Sequence, residues 1–273
     1  MLNLRPVLLV TGALVAALGL TMLIPMFADL MATAEVHRAD WSAFAIGASA
    51  SFLIGGGAAA ASWGRIETIS LREGFLLTSA SWLALVLFAA IPLALGEMHL
   101  SYTDAFFEAM SGITTTGSTV VSGLDDAPPG FLLWRSMLQW FGGVGIIIMA
   151  FAVLPALKVG GMQIFKNEAW DTSEKFIANA AQYSLGLSGI YVFFTFACFV
   201  SLWGFGMPAF DALNHALTAI STGGFSTKDA SIGAFLTVGR APLDLVITVY
   251  MIIGSLPFGI FLIMIMRGAW KRL

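Results

Sequence analysis

Residues 109–119 read AMSGITTTGST, and residues 216–226 read ALTAISTGGFS. Each stretch lies between long apolar runs, yet each is built around Thr, Ser and Gly. At a spacing of 107 residues Asp104 aligns with Asp211, Ala105 with Ala212, Ala109 with Ala216 and Ser111 with Thr218. Ile113 then aligns with Ile220, Thr114 with Ser221, Thr115 with Thr222 and Gly117 with Gly224. This is an internal repeat. Each unit reads as a long helix, a short amphipathic segment, a Thr/Gly strand and a second long helix. The stretches 102–118 and 209–225 each join the short amphipathic part, about ten residues, to its Thr/Gly strand, and the short parts open on Asp104 and Asp211, both N-cap candidates.

Composition sets the solvent. Apolar residues make up 58 % of the 273, charged residues 11 %, and mean hydropathy is +0.88. A soluble domain carries about 25 % charge, so too little polar surface exists here to cover one. A net charge of -3 argues against a nucleic-acid partner. The single cysteine, Cys198, sits in the apolar run FFTFACFV and reads as a buried structural residue, with no disulfide framework and no CxxC metal site.

A bilayer core of about 30 Å takes roughly 20 helical residues. Six runs qualify: about 6–27, 41–63, 75–95, 131–156, 182–204 and 243–266. The first is too long for a signal peptide and reads as a retained helix. Residues 157–181 form a charged linker. With both termini cytoplasmic, nine of the 13 basic residues fall inside: Arg5, Arg65, Arg72, Lys158, Lys166, Lys175, Arg267, Lys271 and Arg272. Arg38, Arg135, Lys228 and Arg240 fall outside. The outer segments are acidic instead, with Asp29, Glu35, Asp40, Glu97, Asp104, Glu108, Asp125, Asp126, Asp211, Asp229 and Asp244. Such a face either concentrates cations at a pore mouth or simply keeps loops wet.

The short amphipathic segments cannot span. A helix that ends inside a membrane needs its irregular continuation to line water or to be buried in protein. Glycine allows the positive φ that turns successive carbonyls toward one axis, and threonine adds a hydroxyl oxygen. The negative end of the helix favours a cation there. Carbonyl rings replace the hydration shell of a monovalent cation, whereas hard divalent ions call for carboxylates, which neither strand contains. K⁺ or Na⁺ is therefore the expected guest. The alternative is a pair of outer loops with ordinary turn residues.

Three stretches carry a family resemblance: FEAMSGITTTGSTV, WRSMLQWFGGVGIIIMAFAVLPALKVGGMQIFKNE and FDALNHALTAISTGGFST. They resemble the TrkH-type subunits of the Trk/Ktr/HKT potassium-transporter superfamily, over nearly the whole chain and most closely in about 100–230. The resemblance implies an all-α membrane protein of six transmembrane helices with two re-entrant pore helix–filter loops, related to potassium-channel subunits. It implies a two-helix extension at 1–70, a first pore unit at 71–160 and a second at 161–273. The family's filter maps onto Thr114, Thr115, Thr116, Gly117 and Ser118, and onto Ser221, Thr222, Gly223, Gly224 and Phe225. These ten residues would bind K⁺, the transported ion, with no cofactor on this chain and no enzymatic step. The looser TTTGS and TGGF sequences imply a K⁺ preference less strict than a channel's. Implied partners are membrane lipid, a second copy in a homodimer, and a cytoplasmic TrkA-like nucleotide-binding ring docking on inner loops such as 157–181. The implied location is the bacterial cytoplasmic membrane.

The family places four pore units about one axis, and two are present here. The expectation is half of a pore, either a piece of a longer protein or a chain that pairs with a second copy. Two rival readings are a broken-helix secondary transporter and a structural fragment that inserts without conducting. GGVG at 142–145 lacks the Lys-Ser/Thr of a phosphate loop and reads as a close helix contact or a bend. The stretch 47–60 reads as a small-residue packing face. Pro155 and Pro257 are expected to kink the outgoing helices. His37, His99 and His215 show no metal spacing, and His215 is expected to pack or hydrogen bond. Glu108 either attracts cations or bonds behind the filter. Arg135 reaches headgroups or pairs with an outer carboxylate.

Overall fold

The apolar runs become helices, and the breaks between them follow proline chemistry. The computed structural model describes residues 3–32, 40–64, 70–152, 173–236 and 242–266; among these the regular structure is helical, with no strand. Helix α1 (Arg5–Thr21) has Pro6 in its first turn, where no backbone N–H is required. After Met22 comes α2 (Leu23–Met31). Pro25 has no N–H to offer the Thr21 carbonyl, which accounts for the interruption. Helix α3 (Trp41–Ala61) packs along α1.

Helix α4 (Leu71–Leu95) starts on a capping box. Ser70 Oγ accepts the Glu73 N–H at 3.4 Å, and Glu73 accepts the Ser70 N–H at 2.8 Å. Glu73 also accepts the Asn3 N–H at 2.8 Å, which fastens the N-terminal segment to α4. The short helix α5 (Tyr102–Ile113) follows, then α6 (Pro129–Ala152). The second half repeats the order with α7 (Ser173–Gly204), short α8 (Ala209–Ile220) and α9 (Leu243–Ser255), and ends on α10 (Phe258–Met266).

Three expectations change, the first being that the run 6–27 is two helices broken at Met22 rather than one. Helix α7 begins at Ser173, so the later part of the 157–181 linker is helical rather than open. The run 243–266 is two helices rather than one kinked span. Pro257 cannot donate to the Ile253 carbonyl, which instead takes the Leu256 N–H at 3.2 Å and closes α9. Pro155, His37 and the basic residues Arg38, Arg65, Lys158, Lys166, Arg240, Arg267, Lys271 and Arg272 lie outside the described residues.

Four described stretches are long and apolar enough to cross a membrane: Arg5–Met31, Trp41–Ala61, Arg72–Leu95 and Ser184–Gly204. Their outward faces carry large apolar side chains such as Leu53, Leu185 and Phe196, each more than 60 % exposed. Two cores lie inside. The first gathers α1 to α6 around Phe44 and Trp134, whose rings meet edge to face at 6.2 Å. The second gathers α7 to α10 around Tyr191 and Phe258, with ring centroids 5.5 Å apart. Helix α6 joins the halves, because it packs on α5 from the first and on α7 and α8 from the second.

The small-residue face at 47–60 does what its composition implies. A Cβ on Gly55 would come within 2.7 Å of the Gly12 carbonyl oxygen, and one on Gly12 within 2.6 Å of the Gly55 oxygen. Backbone meets backbone there. Gly55→Leu is therefore expected to lower the thermal unfolding midpoint in detergent, by overpacking worth about 1–3 kcal/mol. Gly56→Leu, one position along and facing open space, is expected not to lower it; equal losses at the two sites would contradict this contact.

Candidate cation site

The two short helices are the frame of the candidate site, and they start alike. Ser101 caps α5, accepting the Asp104 N–H at 3.1 Å and donating to Asp104 Oδ2 at 2.7 Å. Asp104 is thus the third residue of the helix and not its N-cap. Asp211 has the same place in α8, which follows Pro208, and accepts the Thr227 hydroxyl at 2.6 Å. Both acids still face the positive end of a helix dipole. The expected Asp caps are shifted inward by most of a turn, because the capping position falls on Ser101 in one unit and on Pro208 in the other.

The two helices also end alike. The Thr115 N–H donates to the Gly112 carbonyl and the Thr116 N–H to the Ser111 carbonyl, both at 2.9 Å. One repeat later Thr222 donates to Ala219 at 3.1 Å and Gly223 to Thr218 at 2.9 Å. This paired pattern is the Schellman motif, which places its left-handed residue after the C-cap. Glycine is the usual choice, yet threonine stands there in both units, with φ of +55° at Thr115 and +56° at Thr222. Left-handed backbone costs a β-branched residue about 1–2 kcal/mol. Two residues on, the chain is left-handed again, at Gly117 (+78°) and Gly224 (+82°). The Thr/Gly stretches are loops of one shared conformation.

The loops meet. A Cβ on Gly117 would overlap the Gly223 carbonyl oxygen, so the contact is possible only for glycine at 117. Thr115, Ser221 and Thr222 line one cavity of about 260 Å³, together with Tyr191 and Phe258. Gly117, Gly224 and Phe225 line a second of about 150 Å³, at the opposite end of the loops. Thr114, Thr116, Ser118, Thr222 and Gly224 are exposed, and Thr114 and Thr116 share a hydroxyl hydrogen bond of 2.8 Å. The Phe225 side chain is buried and turned away, under the Arg135 guanidinium at 4.2 Å from the ring centroid.

Behind the loops lies a charged network. Arg135 and Glu108, about 1 % and 0 % exposed, pair through Nε and Oε1 at 2.7 Å. Glu108 also accepts the Thr119 hydroxyl at 2.9 Å and the Val120 N–H at 3.2 Å. Arg135 donates through Nη1 to the Ser226 carbonyl at 3.1 Å and through Nη2 to Thr119 Oγ1 at 3.2 Å. His215 lies one repeat after Glu108 and has the same task. Its Nε2 lies 3.0 Å from Ser226 Oγ, and its Nδ1 2.8 Å from the Asp211 carbonyl. Each short helix therefore holds the hydroxyl that follows its own loop. Glu108 bonds behind the loop, and Arg135 reaches no headgroup.

The acidic outer face is correspondingly smaller than expected. Asp29, Asp40 and Glu108 are buried. Asp29 accepts the Gly130 N–H at 2.5 Å, and Asp40 accepts the Glu97 N–H at 2.8 and 2.9 Å. Asp125 and Asp229 are exposed but tie the units together. Lys228 pairs with Asp125 at 3.3 Å, and Asp229 accepts the Gly123 N–H at 3.0 Å. Glu35 lies outside the described residues.

Sequence reasoning missed Gln139. Its Oε1 accepts the Phe225 N–H at 3.1 Å, and its amide presses against Gly223. One signal was available: Arg135 and Gln139 are four apart and share a helix face, and an ionisable residue within an apolar run marks a functional region by default. Of the glycines at 142–145, Gly142 and Gly143 serve close contact, against the Ile113 carbonyl and the Tyr191 hydroxyl, while Gly145 faces open space; Gly254 of α9 abuts Ile220 as Gly142 abuts Ile113. No cluster of metal-ligating side chains occurs among the described residues.

The overall fold agrees with that of known proteins. The family model of the TrkH cation transport proteins matches residues 41–273. The Trk system potassium uptake protein TrkI of Halomonas elongata is 38 % identical over 269 residues, covering 97 % of this chain and 52 % of its own. TrkH of Escherichia coli K12, another Trk system potassium uptake protein, is 38 % identical over 266 residues, 95 % of this chain and 53 % of its own. The crystal structure of the potassium transporter TrkH from Vibrio parahaemolyticus superposes with a TM-score of 0.85 at 32 % identity, over 98 % of this chain and 53 % of that one. The chain thus spans about half the length of the relatives it matches.

Removing one partner of a buried ion pair costs about 3–5 kcal/mol. Glu108→Leu and Arg135→Met are each expected to lower the unfolding midpoint strongly, and the double variant to cost less than the sum of the two. Additive losses would mean that the two groups do not depend on one another.

Proposed function

The chain belongs to the TrkH family of cation transport proteins, and on that premise we propose that its two Thr/Gly loops are walls of a potassium-uptake pore. The observation that carries the reading is the repeated conformation. Left-handed residues alternate through 115–117 and again through 222–224, the geometry that aims successive carbonyl oxygens the same way. Such oxygens, with the threonine hydroxyls, stand in for the water around K⁺. Threonine in both loops where glycine would be unstrained supports a role for the hydroxyl. The loops run between two cavities, as a filter between vestibules would.

In this reading α5 and α8 are re-entrant pore helices, their negative ends directed at the ion, and six spans surround them with both termini cytoplasmic. The ten filter residues are Thr114 to Ser118 and Ser221 to Phe225. K⁺ sheds water at the loops and moves inward under the membrane potential, which contributes about 2.3 kcal/mol per charge per 100 mV. No covalent step is needed. Two loops form half a ring, so the ion is enclosed only with further pore units, in a longer protein or a second copy. A homodimer and a TrkA-like regulatory ring at the cytoplasmic face complete the proposal; that face includes the segment 157–181. The bacterial cytoplasmic membrane is the location.

Growth of a K⁺-uptake-deficient bacterium on low K⁺ tests the reading, with the protein expressed from its native reading frame and Rb⁺ uptake as the quantitative measure. Gly117→Ala combines left-handed strain with overlap on Gly223 and is expected to abolish uptake. Gly224→Ala meets open space, carries strain of only about 1–2 kcal/mol, and is expected to reduce uptake partially. Normal uptake in Gly117→Ala would remove the filter from these loops.

A further inference from the structure

Helix α6 belongs by sequence to the first unit, yet two of its side chains hold the loop of the second. Arg135 donates to the Ser226 carbonyl at 3.1 Å and covers the Phe225 ring at 4.2 Å. Gln139, one turn further along the same face, accepts the Phe225 N–H at 3.1 Å. Both are buried, Gln139 at 0 % exposure. The Gln139 Nε2 has no hydrogen-bond partner among the described residues and lies 2.7 Å from where a Cβ on Gly223 would stand and 3.7 Å from that of Gly117. The amide is therefore seated at the junction of the two loops, its oxygen committed to one of them. A buried donor left unpaired is unfavourable, so packing alone would favour an apolar residue of the same size.

The arrangement occurs once in the repeat. Gly142 of α6 and Gly254 of α9 each abut the last carbonyl of their short helix, Ile113 and Ile220. With these glycines matched, Arg135 corresponds to Ile247 and Gln139 to Met251. Neither can donate or accept a comparable bond, and Met251 is exposed. Repeat structure alone does not account for Arg135 and Gln139.

We infer that Arg135 and Gln139 are positioning residues that clamp the second Thr/Gly loop onto the first unit, fixing the spacing of the two loops and so the discrimination between K⁺ and Na⁺. The inference rests on the reading of the loops as a cation filter. Neither side chain touches the ion. They act on the Phe225 and Ser226 backbone, and through it on the carbonyl of Gly223 where it meets Gly117. If the loops drift apart, the oxygens no longer replace a hydration shell of one size, and the smaller cation is admitted.

The test is Rb⁺ uptake with Na⁺ competition in K⁺-uptake-deficient cells, with the protein expressed from its native reading frame and normalised to the amount in the membrane. Gln139→Met keeps volume and loses the amide. Loss of one hydrogen bond to the loop is expected to lower the K⁺:Na⁺ discrimination by about five- to tenfold with little change in protein amount. Arg135→Lys keeps the charge but not the forked donors and is expected to shift the ratio in the same direction. Ser136→Ala, on the same helix but bonded to the Leu132 carbonyl, is expected to leave it unchanged. A purely structural role predicts lower amount and lower uptake at a constant ratio, and that result would overturn the clamp. So would a Gln139→Met protein that fails to reach the membrane, which would assign the residue to folding. Gly117→Ala separates the two levels. If it abolishes uptake while Gln139→Met keeps its ratio, the clamp alone fails; if it transports normally, the filter reading fails as well.

Discussion

A single guanidinium, that of Arg135, ties the two halves of this protein together at their most irregular point. It is paired with Glu108 on α5, touches Thr119 after the first loop and reaches the Ser226 carbonyl after the second. The loops themselves have few backbone bonds beyond those closing α5 and α8. A loop of that kind holds its shape only if surrounding groups over-determine it. The buried pair does this because neither charge can move without leaving the other unpaired in an apolar interior.

The strain at Thr115 and Thr222 belongs to the same constraint. Each closes a helix in a position that glycine would fill at no steric cost. The strain is held in place from behind, by Glu108 in the first unit and His215 in the second, each bonded to the hydroxyl that follows its loop. A carboxylate and an imidazole thus do equivalent work at equivalent positions. The repeat preserves geometry while its chemistry has diverged, and Arg135 and Gln139 add a bond between units that has no second copy.

Much of this was legible in order. The alignment of 109–119 with 216–226 located both loops, and apolar length located the helices. Thr, Gly and the absence of carboxylates pointed to a monovalent cation. What could not be read were consequences of burial. Asp29 and Asp40 look like outer-face acids in a sequence, and for Arg135 and Glu108 the sequence offered the right role only as one of two alternatives. Each is buried against a partner far away in the chain, Glu108 across 27 residues to Arg135 and Asp29 across 101 to Gly130. The helix breaks at Met22 and Pro257 were only half visible, because proline shows where a bond is lost and not whether the helix bends or stops.

The sequence by itself determined that the chain is helical and apolar and that it carries a duplicated Thr/Gly loop. Those properties follow from local sterics and from periodicity, which act over a few residues. Only the tertiary structure decided that Gly117 meets Gly223, that Arg135 and Gln139 of one unit hold the loop of the other, and which acids are buried. Those outcomes depend on how α6 seats between α5 and α8. That seating is fixed by glycine contacts and hydrogen bonds between residues as much as 91 positions apart, a separation at which no local pattern in the chain records the pairing.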